Sequence, residues 1–506
     1  MIEQRPQTAV QGVAIASAVN VVSRILTFLR QVLITAYFGL SARLDAFFVA
    51  AAFVSIFINT FGDIFDSAGI PSLVKSRERE GEESFRALTG SVFTLAVLLG
   101  LGMSLMMILC LPLAPLLVPG FPQASKDFIR GNVLLLLPYA LAYLPYHAIG
   151  SFFRSVRGFH IYYLVECVVQ LVALAVVIGF ADTVLVVPVS LSAAYAVGIV
   201  AFVVWGRTRF RFRGRLSGGE MDVVRRTVGQ MLPVYVILYG LIVVDRYFGS
   251  FLEEGAISAL FYGYVLAMAV PAVMNIENVF ITPLSEESDR GVLMTRILSG
   301  ILVVALPVLA FAFLFGGALV KGLFERGAFT ERSSLMTAEA LRFYILGLPA
   351  FFALPVCIRT LQVLRRLGWI AGLSALSLLL NAGLNALFVL GAGMGVRGIA
   401  LATSLSYAAV GAAALALVSR AGIRVRYAET LRVLPNVACG VAVALGAAAV
   451  LPVPASPLAA ILVRGAAFVA VYLPVAVLIP GPEMRRLRDI VLDSFPALRR
   501  AGERFR

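Results

Sequence analysis

Residues 297–320 read ILSGILVVALPVLAFAFLFGGALV, a run of twenty-four residues without a charged side chain. Because a helix rises 1.5 Å per residue, this run is about 36 Å long and can cross the hydrocarbon core of a bilayer. Similar apolar runs recur between residues 10 and 480, and no stretch outside them is long enough for a soluble domain. The sequence therefore predicts an all-α polytopic membrane protein.

The composition of the chain supports this prediction and excludes several functions. Hydrophobic residues make up 60% of the 506 residues and charged residues 14%, whereas a soluble domain carries about 25% charged residues. The net charge of +14 does not indicate a nucleic-acid partner, because the basic residues lie in short loops between apolar runs. Four scattered cysteines and two histidines form no disulfide framework or metal-binding pattern. We therefore expect neither a cofactor nor an enzyme.

The apolar runs and the loop signals between them predict fourteen transmembrane helices. With the N-terminus in the cytoplasm, about 29 basic residues lie in cytoplasmic segments and about 7 on the opposite side. This asymmetry indicates an even number of spans with both termini in the cytoplasm. The predicted spans are 10–38, 45–70, 88–118, 131–156, 161–180, 184–206, 228–251, 256–284, 293–322, 335–364, 369–391, 396–419, 430–451 and 457–480.

The chain also resembles itself at an offset of about 210 residues. Leu137-Pro138-Tyr139-Ala140 is echoed by Leu348-Pro349-Ala350-Phe351, and Arg154 is echoed by Arg365 in the same order. Two duplicated six-span lobes suit alternating access, in which one half rocks against the other around a midplane site. The predicted domains are an N-lobe at 1–206, a basic cytoplasmic linker at 207–227, a C-lobe at 228–420, two appended spans at 421–480 and a basic cytoplasmic tail at 481–506.

Polar and ionisable side chains form stripes at helical spacing on several predicted spans. Each ionisable group in hydrocarbon costs at least a few kcal/mol and therefore requires a reason. Segment 324–329, in contrast, is typical of a short amphipathic turn at the outer surface. The intramembrane polar residues are Ser23, Arg24 and Arg30 in the first span, Asn59, Asp63 and Asp66 in the second, Glu166 in the fifth, Asp245 and Arg246 in the seventh, Asn275 and Glu277 in the eighth, and Arg359 in the tenth.

These stripes predict a hydrophilic cavity between the lobes. Its arginines favour an anion such as a pyrophosphate-linked headgroup, because guanidinium binds phosphate oxygens in a bidentate manner and keeps its charge. The acids balance the arginines or bind a coupling monovalent cation, and the membrane potential is the other candidate energy source. The alternative is a set of structural ion pairs that orient the helices. We predict Ser23, Arg24, Arg30, Asn59, Arg246 and Asn275 as substrate-binding residues, and Asp45, Asp63, Asp66, Asp245 and Glu277 as gating or coupling residues.

Ordered segments from the first span to the twelfth resemble the MurJ/MviN family of the multidrug/oligosaccharidyl-lipid/polysaccharide exporter superfamily. The resemblance implies fourteen helices, a V-shaped pair of lobes, a cationic cavity, and a groove lined by the last two helices for a polyprenyl tail. Arg24, Arg30 and Asp45 match positions that the family uses in its cavity, and Asp63 matches a family glutamate. The segments include Ser23-Arg24, Asp45-Ala46-Phe47-Phe48, Asp245-Arg246-Tyr247-Phe248, Leu323-Phe324-Glu325-Arg326-Gly327-Ala328-Phe329 and Gly398-Ile399-Ala400-Leu401.

The same resemblance implies a lipid II flippase of the bacterial cytoplasmic (inner) membrane. Such a protein moves an undecaprenyl-pyrophosphate-linked peptidoglycan precursor from the cytoplasmic to the periplasmic leaflet. Its partners would be that polyprenyl-pyrophosphate-linked glycan and membrane lipids, with cell-wall or polysaccharide synthesis enzymes as further candidates. No nucleic acid is expected.

The chain lacks three arginines of the family pattern, in two segments. An arginine pair that follows Asp45 in the family is absent, and Tyr262-Gly263-Tyr264-Val265-Leu266 lacks a further family arginine. These departures leave open a flippase for another polyprenyl-linked glycan, such as an exopolysaccharide or O-antigen unit. A cation-coupled small-molecule exporter is a second alternative, against which Arg24 and Arg30 argue. A non-transporting membrane scaffold is the third.

Overall fold

A computed structural model of the chain describes residues 9–79, 82–155, 159–206, 240–274, 276, 289–452 and 454–478. Every regular element in these ranges is a helix, and twelve helical stretches are long and apolar enough to cross a membrane. This confirms the prediction of an all-α polytopic membrane protein. The number fourteen stays a prediction, because the seventh and eighth predicted spans are described only in part.

The helices of the first half follow the predicted spans closely. Apolar side chains dominate each of them, and a helix satisfies its own backbone hydrogen bonds in lipid. A 3₁₀ turn, Leu111–Leu117, extends the third helix. The helices are α1 (Ala9–Phe38), α2 (Ala42–Arg79), α3 (Glu82–Cys110), α4 (Gln123–Ser155), α5 (Phe159–Gly179), α6 (Val186–Gly206) and α7 (240–249).

The second half contains shorter helices as well as long ones. A 3₁₀ turn, Ile345–Gly347, interrupts the predicted span 335–364 two residues before Pro349, which cannot donate a backbone hydrogen bond. The helices are α8 (Ala256–Ala267), α9 (Ala269–Met274), α10 (Arg290–Phe324), α11 (Glu331–Tyr344), α12 (Leu348–Val363), α13 (Leu367–Asn385), α14 (Val396–Arg420), α15 (Tyr427–Leu431), α16 (Leu434–Val450) and α17 (Pro457–Leu478).

The contacts divide the chain into two compact units. The first unit consists of the residues up to Ser258 together with Arg326–Thr330. In this unit α2 and α6 both pack against α4, and α1 packs against α5. The unit therefore contains the described end of α7 and the first residues of α8, in addition to the first six helices. The predicted domain boundaries stay predictions, since the linker at 207–227 and the tail at 481–506 lie outside the described ranges.

The second unit consists of Ala259–Glu325 and the residues from Glu331 onward. Helix α14 packs against α12 and α13, while α10 packs against α11 and α17. The last two helices, α16 and α17, pack against each other around buried Ala444, Ala448, Phe468 and Tyr472. The Tyr472 hydroxyl donates a hydrogen bond of 2.6 Å to the carbonyl oxygen of Val303 in α10, which fixes the last helix in this unit.

Candidate functional site

Asp45, near the start of α2, accepts three hydrogen bonds from residues more than 200 positions later in the chain. Its side chain is 2% exposed. One carboxylate oxygen accepts from the Gly255 N–H at 2.7 Å, and the other accepts from the N–H of Ser258 at 2.7 Å and from its hydroxyl at 2.5 Å. These donors lie at the start of α8, where backbone N–H groups lack partners within the helix. Asp45 therefore caps α8 from a neighbouring helix.

The cap is reciprocal. Oε1 of Glu254 accepts a hydrogen bond of 2.8 Å from the N–H of Ala42, in the first turn of α2. Asp45 of α2 thus caps the start of α8, and Glu254, just before α8, caps the start of α2. Gly255 makes this close approach possible: its φ is +86°, and a Cβ there would lie 2.7 Å from the Cβ of Leu40. We call Asp45 and Glu254 the capping pair.

The turn Arg326–Thr330 packs beside the capping pair in the first unit. The Ala328 N–H donates to the carbonyl oxygen of Ala36 at 2.7 Å, and Phe329 is 1% exposed. Gly39 and Gly327 both have positive φ, +57° and +58°, and a Cβ on either would collide with a carbonyl oxygen of the facing segment. Residues 326–328 are exposed whereas Phe329 is buried, so the turn has the two-sided character that the sequence predicted, with its apolar side packed on protein. Its place at the outer membrane surface stays a prediction.

Arg246 of α7 also belongs to this region. The sequence assigned it to substrate binding, and the structure buries it, with 9% of the side chain exposed. Its positive charge acts on the Asp45 carboxylate and stabilises it. Asp245, the preceding residue, is half-buried. The structure therefore brings together two residues, Asp45 and Arg246, that the sequence placed in different roles.

The polar residues predicted to form one stripe on α1 lie on two different faces of the helix, one buried and one exposed. Ser23 and Arg30 are buried, at 4% and 8% exposure, whereas Arg24 is exposed. This follows from helical geometry, because residues seven apart share a face and adjacent residues lie about 100° apart. The charge of Arg30 acts on the hydroxyl group of Tyr139 in α4. Arg30 therefore borders a second polar region in the interior of the first unit.

That region is a cluster of four tyrosines, which we call the tyrosine cluster: Tyr139, Tyr143 and Tyr146 of α4 and Tyr195 of α6. The Tyr195 ring lies 4.7, 5.7 and 4.9 Å from the other three ring centroids, in that order. Tyr143 donates to Oδ1 of Asn59 at 3.3 Å, which places one predicted substrate-binding residue at the edge of the cluster. The spacing of the α4 tyrosines, i, i+4 and i+7, is a stripe that the sequence analysis missed.

One tyrosine of the cluster is hydrogen-bonded to an acid, Glu166 of α5. Tyr146 donates a hydrogen bond of 2.7 Å to Oε2 of Glu166 in α5, and Nε2 of Gln170 donates one of 3.1 Å to Oε1. The His147 ring packs against the Tyr143 ring, with centroids 4.3 Å apart and the planes tilted by 37°. The sequence had noted Glu166 as an intramembrane acid without assigning it to the site.

The second unit holds a neutral counterpart of this polar region, and an arginine within its last apolar span. Asn385 donates to Asn381 at 3.0 Å, and Asn381 donates to Thr403 at 3.3 Å. Arg464 of α17, which the sequence analysis missed, lies 5.2 Å from the centroid of the Phe315 ring. An arginine within the last apolar span was the signal that could have found it.

The remaining predicted site residues lie outside this description. The side chains of Asp63 and Asp66 on α2, and the residues Asn275 and Glu277, are not among the described parts of the chain. The shared cavity between the lobes, and the roles of the individual residues, therefore stay predictions. Within the described ranges, no group of three or more histidine, cysteine, aspartate or glutamate residues is arranged to hold a metal ion.

Comparisons with known proteins agree with this architecture. The family model described as "Lipid II flippase MurJ" matches residues 34–463. A "Probable lipid II flippase MurJ" of Buchnera aphidicola subsp. Baizongia pistaciae is 23% identical over 394 residues, which cover 74% of this chain and 76% of the relative. A protein of the same name from Aquifex aeolicus is 24% identical over 413 residues, with 77% and 79% covered.

Solved structures show the same fold. A lipid II flippase MurJ in an inward closed conformation superimposes with a TM-score of 0.76 at 20% identity, over 94% of this chain and 99% of that one. An outward-facing multidrug resistance MATE transporter gives a TM-score of 0.62 at 12% identity, over 82% and 97% of the two chains. At these identities the likeness concerns the fold alone.

Proposed function

Because the chain belongs to the lipid II flippase MurJ family, we propose that it translocates lipid II across the bacterial cytoplasmic membrane. The direction is from the cytoplasmic to the periplasmic leaflet, by alternating access. The loop charges support an orientation with both termini in the cytoplasm. The activity is transport without covalent chemistry, and the substrate is the polyprenyl-pyrophosphate-linked glycan itself.

The observation that carries this proposal, beside the family, is the pair of arginines on α1. Arg30 is buried in a membrane-spanning helix, and Arg24, six residues earlier on the same helix, is exposed. A guanidinium in hydrocarbon is costly unless an anion or a hydrogen-bonding surface compensates it. A diphosphate offers several charge-assisted acceptors for such groups. We propose that Arg24 meets the headgroup first, since it is accessible, and that Arg30 holds it beside the tyrosine cluster.

The capping pair has a place in the same proposal. The acids join the outer ends of α2 and α8 through backbone N–H groups, so these ends move together while the caps are formed. Release of the headgroup to the periplasm requires the outer ends to separate. We propose that Asp45 and Glu254 hold the outward path closed until the headgroup has been bound. This assigns Asp45 to gating.

The last two helices supply a surface for the lipid tail. Val443 of α16 and Leu462 and Leu473 of α17 are exposed, with 48%, 63% and 55% of their side chains accessible. Exposed apolar side chains on membrane-spanning helices contact lipid chains without a desolvation cost. We propose that the polyprenyl tail lies along α16 and α17 while the headgroup crosses.

The test is flipping of fluorescent lipid II by the purified protein in proteoliposomes. We expect Arg24→Ala and Arg30→Ala each to slow flipping by at least about tenfold, because one charge-assisted hydrogen bond to an ionic group contributes about 1.5–3 kcal/mol. Arg130→Ala is the matched control, since Arg130 is exposed and pairs only with Asp127 among described residues. Wild-type flipping by both α1 variants would refute the headgroup assignment. Competition with another undecaprenyl-pyrophosphate-linked glycan separates lipid II from related substrates.

A further inference from the structure

Arg464 is a basic residue inside the last membrane-spanning helix, α17. It lies in the apolar stretch Pro457–Val475, seven residues after the start of that helix. A rise of 1.5 Å per residue places its Cα about 10 Å from the start, within an apolar segment that is long enough to cross a bilayer. Because arginine keeps its charge in proteins, a guanidinium at this depth requires a compensating group.

The part of the chain that the structure describes supplies no such group. There Arg464 forms neither an ion pair nor a hydrogen bond, and its Nε is buried without an acceptor. Its one polar contact is with the ring of Phe315 in α10, whose centroid lies 5.2 Å from the guanidinium carbon. A cation–π contact attracts the charge but leaves the N–H donors of the guanidinium unused.

Aromatic packing between α17 and α10 holds this guanidinium in place. Phe468 and Tyr472 follow Arg464 at intervals of four residues, which puts all three on one side of α17. The Phe468 ring lies 5.2 Å from that of Phe311, which in turn lies 5.1 Å from that of Phe315. The Arg464 side chain as a whole is only partly buried, so its terminal Nη groups remain accessible beside this column of rings.

The surroundings of Arg464 identify the kind of ligand that can reach it. Its neighbours Leu462 and Val463 are 63% and 40% exposed, and Leu314 of α10 is 56% exposed. Because these accessible side chains are apolar, an anion that approaches along them must itself carry apolar chains. Side chains on a helix lean toward its N-terminus, so Arg464 extends toward the nearer membrane surface, where the phosphates of phospholipids lie.

The other cation near this end of α17 already has an acid as its partner. The end of α10 lies beside the start of α17, since a Cβ on Gly322 would be 3.1 Å from the carbonyl oxygen of Pro457. Lys321 in the same turn of α10 pairs with Glu325 at 3.3 Å. Arg464 therefore offers the fork of donors that matches two oxygens of a phosphate, with no protein carboxylate of the described residues competing for it.

We propose that Arg464 binds the phosphate of an anionic phospholipid, whose acyl chains cover the adjoining apolar face of α17. The guanidinium donates two hydrogen bonds to two phosphate oxygens, while Phe315 covers one of its faces. A headgroup with a net negative charge is preferred, because the ammonium group of a zwitterionic lipid is repelled by the same guanidinium. This site belongs to the second unit and does not rest on the proposed function.

Native mass spectrometry of the full-length protein tests the site. The protein is released from micelles that contain phosphatidylglycerol and phosphatidylcholine in equal amounts. We expect the wild type to retain phosphatidylglycerol preferentially, and its affinity to fall at least about tenfold in Arg464→Gln, because charge-assisted hydrogen bonds are lost. Arg464→Lys keeps the charge but not the fork and should lose less. Arg397→Gln is the matched control, since Arg397 is an exposed arginine of the same unit that pairs with Glu339.

The proposal is overturned if Arg464→Gln and the wild type retain phosphatidylglycerol equally, because the guanidinium then reaches water instead of a lipid phosphate. Equal retention of the two phospholipids by the wild type would also overturn it. Stronger retention of a short-chain polyprenyl diphosphate than of phosphatidylglycerol would overturn the assignment to a phospholipid.

Thermal unfolding in nanodiscs provides a second test that also shows whether the variant folds. A ligand that binds the folded state stabilises it, so phosphatidylglycerol should raise the melting temperature of the wild type and of Arg397→Gln more than that of Arg464→Gln. In phosphatidylcholine alone, Arg464→Gln should melt at or above the wild-type temperature, because it removes an uncompensated charge from an apolar segment. A lower melting temperature there would show that the protein itself compensates Arg464, and would overturn the lipid site.

Discussion

Replacing Asp45 with alanine removes the acceptor that holds the start of α8. The wild-type carboxylate accepts from two backbone N–H groups at 2.7 Å and from the Ser258 hydroxyl at 2.5 Å, in a site where only 2% of the residue is exposed. Alanine supplies no acceptor. The two N–H groups then remain buried without a partner unless the segment 254–258 opens to water.

The cost of the change follows from those two donors. A buried donor without an acceptor costs about 1–3 kcal/mol, while the Ser258 hydroxyl can rotate to another acceptor and adds little. Loss of the carboxylate also ends its own desolvation, which offsets part of the cost. We therefore expect a net destabilisation of about 3 kcal/mol, or roughly a hundredfold increase in local opening at 1.36 kcal/mol per tenfold.

Hydrogen–deuterium exchange mass spectrometry in nanodiscs measures this opening. Exchange of the 254–258 amides tracks the population of the open state when closing is faster than exchange. Asp45→Ala should raise the exchange rate there by roughly a hundredfold, and Asp45→Asn, which keeps one acceptor oxygen, by about tenfold. Ser258→Ala separates the contribution of the hydroxyl from that of the backbone donors and should have a small effect.

The control is Asp127→Ala in α4. Asp127 is exposed and pairs with Arg130 at 2.9 Å, an arrangement that contributes about 0–1 kcal/mol. Exchange at 254–258 should therefore stay at the wild-type rate. The reasoning fails if Asp45→Ala leaves these amides protected, or if Asp127→Ala exposes them equally, because the first result denies the cap and the second makes the effect global.

Two further substitutions test the packing of each unit. Gly39→Ala should lower the melting temperature in detergent, because φ of +57° costs a side-chain-bearing residue about 1–2 kcal/mol and the new Cβ would collide with the Ala328 carbonyl. The control Gly372→Ala should melt at the wild-type temperature, because nothing lies within 4 Å of its Cβ position. Equal melting temperatures of the two variants would contradict this reasoning. Tyr472→Phe keeps the ring but removes the hydrogen bond to Val303. This loss should destabilise the packing of α17 on α10 by about 1 kcal/mol and speed hydrogen–deuterium exchange in α17. An unchanged exchange rate in α17 would show that the hydrogen bond contributes nothing.

Hydropathy predicted the spans well because lipid leaves the backbone few choices. A segment in hydrocarbon must satisfy its own N–H and C=O groups, so an apolar run of sufficient length becomes a helix. The predicted span 293–322 corresponds to Arg290–Phe324 on this ground. The 3₁₀ turn before Pro349 was missed, because hydropathy is blind to a break in hydrogen bonding that stays within an apolar run.

The candidate site was less predictable, because its contacts are distant in the sequence. Asp45 could be predicted as a gating or coupling residue, but its donors Gly255 and Ser258 follow 210 and 213 residues later in the chain. Helical spacing correctly groups Ser23 with Arg30, whereas the inclusion of Arg24 in one stripe ignored the 100° between adjacent residues. Tyrosines at helical spacing also resemble ordinary core residues until a partner such as Glu166 is seen.

The internal repeat provides a comparison within the chain for the role of Glu166. At the offset that relates Arg154 to Arg365, Gln170 corresponds to Asn381 and Glu166 to Ser377. In the second unit neutral residues make the polar contacts at these positions: Asn381 is hydrogen-bonded to Thr403, and Ser377 is buried at 4% exposure. A structural polar contact at this position therefore does not require an acid. Glu166 instead accepts hydrogen bonds from Tyr146 of α4 and from Gln170, so the first unit places an ionisable group where the second unit uses a neutral one.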